Sequence, residues 1–284
     1  MKKILITGAS GFIGTHLVKK LKDNSYQLHC LNREKYPFDK IIKLKSVLRN
    51  KDYVIHLAGK MKGDNLEVIL ANLHSTLGLL EAISTLKSKP VFVFMSSFSV
   101  YGVGNKILSE TSPLFPRNMY GLSKLWSEQI IAHFAKSHKI CCVILRPSSV
   151  YGPNVPAFAQ SVIGTFIYQS KNSQKITIAG SGKQSRDFVY VGDLVEAIVK
   201  VVQHRWKKGC VETFNICSGE KISINKLVNI LGIELRQDLQ CVYDLTYKER
   251  GVWIGNNSKA KKILGWQPKI MFKEGIKLTI QSRV

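Results

Sequence analysis

The stretch Thr7-Gly8-Ala9-Ser10-Gly11-Phe12-Ile13-Gly14 constrains this chain more than any other. It joins a short apolar strand pattern at Lys3–Thr7 to an amphipathic helix pattern at Phe12–Lys22, with apolar residues at Ile13, Leu17, Val18 and Leu21. The spacing is G-x-x-G-x-x-G. One glycine permits the tight turn, another lets backbone N–H groups approach a pyrophosphate, and the last lets the helix pack closely on the strand. A glycine-rich turn without a ligand is the plainer alternative. Its place between a strand and a helix favours a dinucleotide site on Gly8, Ser10, Gly11, Phe12, Ile13 and Gly14.

The rest of the first half alternates in the same sense. Strand patterns at 27–31, 53–58, 90–96 and 140–146 are separated by helix patterns at 43–49, 68–86 and 120–137. Such alternation predicts an α/β fold with a Rossmann-type doubly wound parallel sheet. After Arg146 the pattern loosens, with breaks at Pro147, Gly152, Pro153 and Pro156 and a turn at Gly180-Ser181-Gly182. We expect a nucleotide-binding domain at 1–152, to which 187–204 returns, and a smaller α/β C-terminal lobe over 153–284 that holds the substrate.

Composition narrows the partners. Of the 42 basic residues, 33 are Lys and 9 are Arg, and they outnumber 19 acidic ones for a net charge of +23. A nucleic-acid reader would cluster arginine or interleave it with aromatics. Here lysines are scattered from Lys2 to Lys277, which reads as a solvated surface that attracts small anions, with nucleic acid disfavoured. No apolar run approaches 18 residues, so no membrane span is expected. The apolar run Ile4-Leu5-Ile6 after Met1-Lys2-Lys3 is too short for a leader, which points to the cytoplasm. Six cysteines contain no C-x-x-C, so no metal site is expected. Cys30, Cys141 and Cys142 lie in apolar runs and read as small core residues.

At the end of the second strand, Leu31-Asn32-Arg33 replaces the acidic residue that would bind a ribose diol. Arg33 could face a 2′-phosphate, which favours NADP over NAD, with Asn32 beside it; a surface arginine is the alternative. Farther on, Tyr120-Gly121-Leu122-Ser123-Lys124 places Tyr and Lys on one helix face. A phenol is a poor base at neutral pH, and a lysine one turn away would stabilise the phenolate. Ser97, at the end of the strand Phe92–Ser96, is positioned to touch both Tyr120 and a substrate oxygen. His56, flanked by apolar residues in a strand, reads as a core histidine.

Together these pieces resemble the extended short-chain dehydrogenases/reductases of the NAD-dependent epimerase/dehydratase group, which act on nucleotide sugars. The resemblance spans essentially the whole chain. It rests on the Gly8–Gly14 loop, Val54-Ile55-His56-Leu57-Ala58-Gly59, Asn72, the run from Ser96 to Gly102, Tyr120 to Lys124, Arg146-Pro147-Ser148-Ser149-Val150-Tyr151-Gly152-Pro153, Arg186 to Asp193, and Ala260 to Trp266. It implies that Ser97 orients the reacting hydroxyl or ketone, that Tyr120 transfers its proton, and that Lys124 also binds the nicotinamide ribose. Leu57, Ala58, Gly59, Asn72 and Pro147 would line the cofactor. Ser149, Arg186 and Arg250 would hold the nucleotide sugar, with an ion pair to Asp187 as the alternative for Arg186. A homodimer formed through the Tyr120 helix is implied in the same way.

Departures from the group narrow the chemistry. Members that dehydrate or decarboxylate the sugar carry an acid between the serine or threonine and Val-Tyr-Gly, where this chain has Phe98-Ser99. Members that epimerise two carbons and then reduce add a Cys and a His where this chain has Ser99 and Asn154. Hydride chemistry at one carbinol remains. Arg33 and the short C-terminal lobe favour an NADPH-dependent 4-ketoreductase of a keto-deoxysugar nucleotide. The alternative is an NAD-dependent 4-epimerase. A more distant one is a non-catalytic NADP sensor or nucleic-acid binder of the same fold, which would have no need of Ser97, Tyr120 and Lys124.

Overall fold

The computed structural model describes residues 1–23, 26–102, 107–157, 161–246 and 253–282. In chain order it forms β1 (Lys3–Thr7), α1 (Phe12–Lys22), β2 (Gln27–Cys30), α2 (Ile41–Leu48), β3 (Tyr53–His56), α3 (Asn65–Ser84) and β4 (Val91–Met95). Then come β5 (Ile107–Leu108), α4 (Met119–His138), β6 (Cys142–Pro147), β7 (Ser149–Tyr151), α5 (Val162–Lys171), β8 (Ile176–Ala179), β9 (Ser185–Arg186) and β10 (Phe188–Tyr190). The chain closes with α6 (Val191–Gln203), β11 (Val211–Ile216), β12 (Ile222–Ser223), α7 (Ile224–Leu235), β13 (Cys241–Asp244), β14 (Ile254–Gly255), α8 (Ser258–Leu264) and α9 (Phe272–Gln281).

Two compact units divide these elements. The first comprises Met1–Gly102, Pro113–Arg146 and Ala197–Phe214. The second comprises Val103–Ser112, Pro147–Glu196 and Asn215–Val284. The border thus falls after Arg146 rather than at residue 152, and the returning segment is Ala197–Phe214 rather than 187–204.

The first unit is built on a six-stranded sheet in the order β11-β6-β4-β3-β1-β2. The ladders that join β6, β4, β3, β1 and β2 are parallel, pairing Ile4 with both Leu28 and Tyr53, and Val93 with both Ile55 and Val143. Parallel strands are covered on both faces, so their sequences run continuously apolar. Thus β3 is buried at all four positions and β6 at all six. One core layer gathers Leu5, Val54, Phe92, Phe94, Cys142 and Ile144 against Leu79, Leu80 and Ile83 of α3 and Ile131 and Ala135 of α4. Helix α3 has the length and apolar content to cross a membrane, but half of its apolar window is buried in this core. Its buried face also carries Asn72, Ser75 and Thr76, each committed to hydrogen bonds within the unit.

Cys141 and Cys142 are buried as the apolar pattern predicts, but Cys30 is exposed. It ends β2, one of the two edge strands of the sheet, and no further strand pairs with β2 among the described residues.

Among the described residues, the second unit's ladders are two-stranded: β10 with β7, β12 with β9, β13 with β8 and β14 with β5. Its core is aromatic, with Tyr151, Phe188 and Phe272 stacked at centroid distances of 5.2–6.2 Å. Trp266 is almost fully buried, and its indole N–H donates to the Asp193 carbonyl at 2.8 Å.

Candidate functional site

The loop after β1 requires its glycines. Gly8 has φ +69°, and a Cβ there would lie 2.6 Å from the amide nitrogen of Ala58. A Cβ on Gly14 would lie 2.1 Å from the Gly8 carbonyl oxygen, so α1 approaches the turn as closely as backbone allows. The result is a cavity of about 570 Å³. Gly8, Ser10, Gly11, Arg33, Leu57, Ala58 and Gly59 line it, all of them foreseen from sequence. Pro37, Phe38, Asp39, Lys60, Ala71, His74 and Ser75 line it too and were not foreseen. The break at Pro37 after the second strand was the available signal for the first three. Phe12, Ile13, Gly14, Asn32 and Asn72 are not among the lining residues. Gly14 shapes the turn instead, and the Asn32 side-chain oxygen accepts hydrogen bonds from the amides of Glu34 and Lys35.

A buried polar chain supports the floor of this cavity. The Ala58 amide donates to Thr7 Oγ1 at 3.2 Å, and Thr7 Oγ1 lies 2.7 Å from His56 Nδ1. On the other side, His56 Nε2 is 3.3 Å from Thr76 Oγ1 and 3.4 Å from Ser75 Oγ. His56 is fully buried. Burial, helped by the Lys124 charge, lowers its pKa to about 3, so the ring stays neutral in the physiological range. It is a core histidine whose partners are hydroxyls.

Ser97, Tyr120 and Lys124 lie together where β4 ends and α4 begins. Asn118 caps α4, its Oδ1 accepting from Gly121 N at 2.7 Å. Gly121 is needed because a Cβ there would come within 2.4 Å of the Ser99 carbonyl. Ser97 opens a single 3₁₀ turn, Phe98–Val100, and its Oγ accepts from Ser99 N at 3.1 Å. Lys124 is only 4% exposed, and its Nζ donates to the Met95 carbonyl at 2.9 Å. The same ammonium lies 4.7 Å from the Phe94 ring centroid and 5.8 Å from that of Tyr120.

Burial works on both titrating groups. It pushes the Tyr120 hydroxyl up to about 12, with a hydrogen bond from Ser97 acting in the opposite direction. It pulls Lys124 down to about 8, with the carboxylate of Glu128 opposing. A protonated phenol, an ammonium and a hydroxyl therefore converge at one strand end, an arrangement able to give or take one proton at a carbinol or carbonyl oxygen.

Further residues hold this cluster. Asn72 Nδ2 donates to Ser123 Oγ at 2.8 Å and to the Lys60 carbonyl at 3.0 Å, while its Oδ1 accepts from Lys60 N at 2.7 Å. A Cβ on Gly59 would lie 3.1 Å from both Asn72 Oδ1 and Lys124 Nζ, so the loop after β3 touches both. Glu128 lies outside the motifs that mark the site in the sequence. Its carboxylate takes two hydrogen bonds from Arg146, Nε–Oε1 at 3.0 Å and Nη2–Oε2 at 2.6 Å, and one from Ser96 Oγ at 2.5 Å. The signal was present, since Glu128 follows Lys124 by one helical turn.

The second unit holds Pro147, Ser149 and Arg186. Ser149 N donates to the Asp187 carbonyl at 3.0 Å and pairs in register with Phe188. The Arg186 guanidinium lies 5.4 Å from the Trp253 ring centroid. The Asp187 carboxylate accepts hydrogen bonds from Ser148 Oγ, Ser218 N and Oγ, Gly219 N and Gly255 N. Arg250 lies outside the described residues. No cluster of metal-ligating side chains occurs among the described residues.

Residues 4–217 match the model of the NAD dependent epimerase/dehydratase family. The chain belongs to that family. A relative, the putative UDP-glucose 4-epimerase of Methanocaldococcus jannaschii, is 32% identical over 98% of this chain and 97% of its own length. The UDP-glucuronic acid 4-epimerase of Bacillus cereus, solved in complex with UDP-glucuronic acid and NAD, is 26% identical with a TM-score of 0.87. That match covers 99% of this chain and 98% of the other. RMD from Pseudomonas aeruginosa, complexed with NADPH, is 27% identical with a TM-score of 0.87 and covers all of both chains. The fold is thus the Rossmann-type one expected, and the chain is an enzyme of the family that acts on nucleotide sugars with NAD or NADP.

Proposed function

We propose that the protein is an NAD-dependent 4-epimerase of a UDP-sugar. The observation that carries this reading is the trio of half-buried Ser97 and Tyr120 with buried Lys124, within the unit that also forms the glycine-lined cavity. The relatives support it, since 4-epimerases of UDP-sugars occur among both the curated proteins and the solved structures. The reductase favoured from sequence has less support than its alternative. One observation still speaks for it: Arg33 lines the cavity, where a 2′-phosphate of NADP would meet a cation.

The cavity suits a dinucleotide because Gly8 and Gly14 leave no room for a Cβ and so keep the turn beside it bare backbone. Gly8, Ser10 and Gly11 would hold the diphosphate, and Ala58 and Gly59 would follow the cofactor toward Lys124. Bound NAD would supply reversible hydride transfer at C4. Tyr120 Oη would accept the proton of the C4 hydroxyl during oxidation and give it back during reduction. Ser97 Oγ would orient that oxygen, and the Lys124 ammonium would lower the cost of the phenolate. Phe98 and Ser99 supply no acid for dehydration, which separates this chain from the dehydratases of its family.

The test joins cofactor content to turnover. Denatured purified protein should release NAD, and the native protein should interconvert UDP-glucose and UDP-galactose without added cofactor. Tyr120→Phe should lower kcat by about 10²–10⁴-fold, the range of general acid–base catalysis, while leaving the released NAD unchanged. Empty protein that oxidises NADPH with a 4-keto-sugar nucleotide would establish the reductase instead. Unchanged turnover in Tyr120→Phe would remove the trio from the chemistry.

A further inference from the structure

We propose that Glu128 is a positioning residue that keeps Lys124 charged beside Tyr120, with Arg146, Tyr101 and Ser96 holding Glu128 in place; the proposal deepens the reading above and rests on its assignment of the trio.

The geometry begins with burial. Glu128 is 5% exposed, Arg146 4% and Lys124 4%, so three charges are set into one interior. An isolated ammonium at such depth sheds its proton readily, because desolvation disfavours the charged form. Lys124 Nζ has the Met95 carbonyl and two ring faces around it. None of these carries a full negative charge. The one acidic group raising its proton affinity is Glu128, a helical turn away on α4.

A mobile glutamate would serve poorly, and this one is fixed from three directions. Arg146 on β6 grips both its oxygens, and the Arg146 guanidinium in turn donates to Tyr101 Oη at 2.9 Å while stacking 4.9 Å from that ring's centroid. Ser96, the residue before Ser97, donates to Oε1. Glu128 thereby connects the end of β4, the 3₁₀ turn, α4 and β6, the elements from which Ser97 and Lys124 project. A planar bidentate pair gives this fixity where a lysine at 146 could not.

The other titratable groups facing Lys124 do not substitute for Glu128. On α4, Tyr120 is held protonated by burial, and on β3 His56 is held neutral. Arg146 is a second cation, so loss of Glu128 would leave Lys124 with a like charge and no counter-charge. The expected result is earlier deprotonation of Lys124.

The decisive experiment reads Lys124 directly. In protein labelled with ε-¹³C-lysine, the Lys124 resonance is assigned by its loss in Lys124→Met and then titrated by NMR. In Glu128→Gln its midpoint should fall by about one pH unit or more, a tenfold or greater weakening of proton affinity. The alkaline limb of kcat should move down with it, while KM for the UDP-sugar stays within about threefold, since no substrate contact is removed. Glu128→Asp, which retains the charge, should recover part of the limb. Should Glu128→Gln not fold, the double variant Glu128→Gln/Arg146→Met removes the orphaned cation, and its midpoint should also lie below that of the wild type. A Lys124 midpoint unchanged in the folded single or double variant overturns the proposal. A midpoint that moves in a protein without turnover supports the electrostatic role and overturns the functional reading alone.

Discussion

Glu128 in the first unit and Asp187 in the second are carboxylates buried at junctions of their elements, and the two are satisfied in opposite ways. In the first unit Glu128 faces a full cation, Arg146, and a hydroxyl. In the second, Asp187 is met by two serine hydroxyls and three backbone amides. The amides come from residues 31 to 68 positions away, Ser218 and Gly219 in the connection between β11 and β12 and Gly255 in the two-residue β14. Asp187 therefore does for the second unit what a continuous sheet does for the first: it collects short segments around one acceptor. Glu128 gathers elements already ordered by the sheet, and so its charge is free to act on a neighbour. A buried carboxylate bound by dipoles organises backbone, whereas one bound by a guanidinium sets a local field.

The sharpest way to break this contrast is to remove the cation. Arg146→Met leaves Glu128 buried without its partner, a class of change that costs about 3–5 kcal/mol. Urea unfolding followed by circular dichroism should show that loss, and a loss below about 1 kcal/mol would mean that Glu128 does not need Arg146. Asp187→Asn should cost less, about 1–3 kcal/mol, because only neutral donors lose an acceptor. If the asparagine oxygen takes the Ser148 and Ser218 bonds, its NH₂ turns toward the amides of Gly219 and Gly255. Equal costs for the two variants would erase the distinction between them.

The same contrast explains how much was legible beforehand. In the first unit, order along the chain was nearly enough. The strand at Lys3–Thr7 and the helix at Phe12–Lys22 carry the predicted bounds, and the later elements differ by a few residues, as with α3 at Asn65–Ser84 against 68–86. The glycine loop and the Tyr120–Lys124 pair were also visible, since each is a contiguous motif in a repeating frame. Glu128 and Arg146 were both in view but are 18 residues apart, and only the fold makes them partners. In the second unit the ladders of β10 with β7, β12 with β9 and β14 with β5 span two or three residues, too short for periodicity to register, and Asp187 acts through donors that lie beyond any local pattern. Cys30 is exposed although its apolar run predicts a core residue, because such a run does not reveal which strand will form the edge.

A third buried titratable group tests the first unit's side of the comparison at a smaller scale. His56 is the only fully buried histidine among the described residues, and it has hydroxyls rather than a counter-charge around it. Its pKa in the folded protein is about 3 against 6.5 in the unfolded chain. Between those values the unfolded state binds a proton that the folded state refuses. The stability His56 protects is therefore complete above pH 6.5 and falls as the solution is acidified toward pH 3. The slope approaches about 1.4 kcal/mol per pH unit well below pH 6.5, and about 1 kcal/mol should vanish between pH 6.5 and 5.5. Urea titrations of the wild type and of His56→Gln at several pH values isolate this contribution, because the other acid-sensitive groups are common to both. The difference in stability between the two should shrink as the pH falls through this window. A difference independent of pH would show that His56 protonates without cost, and that the first unit can absorb a charge at this position without a partner.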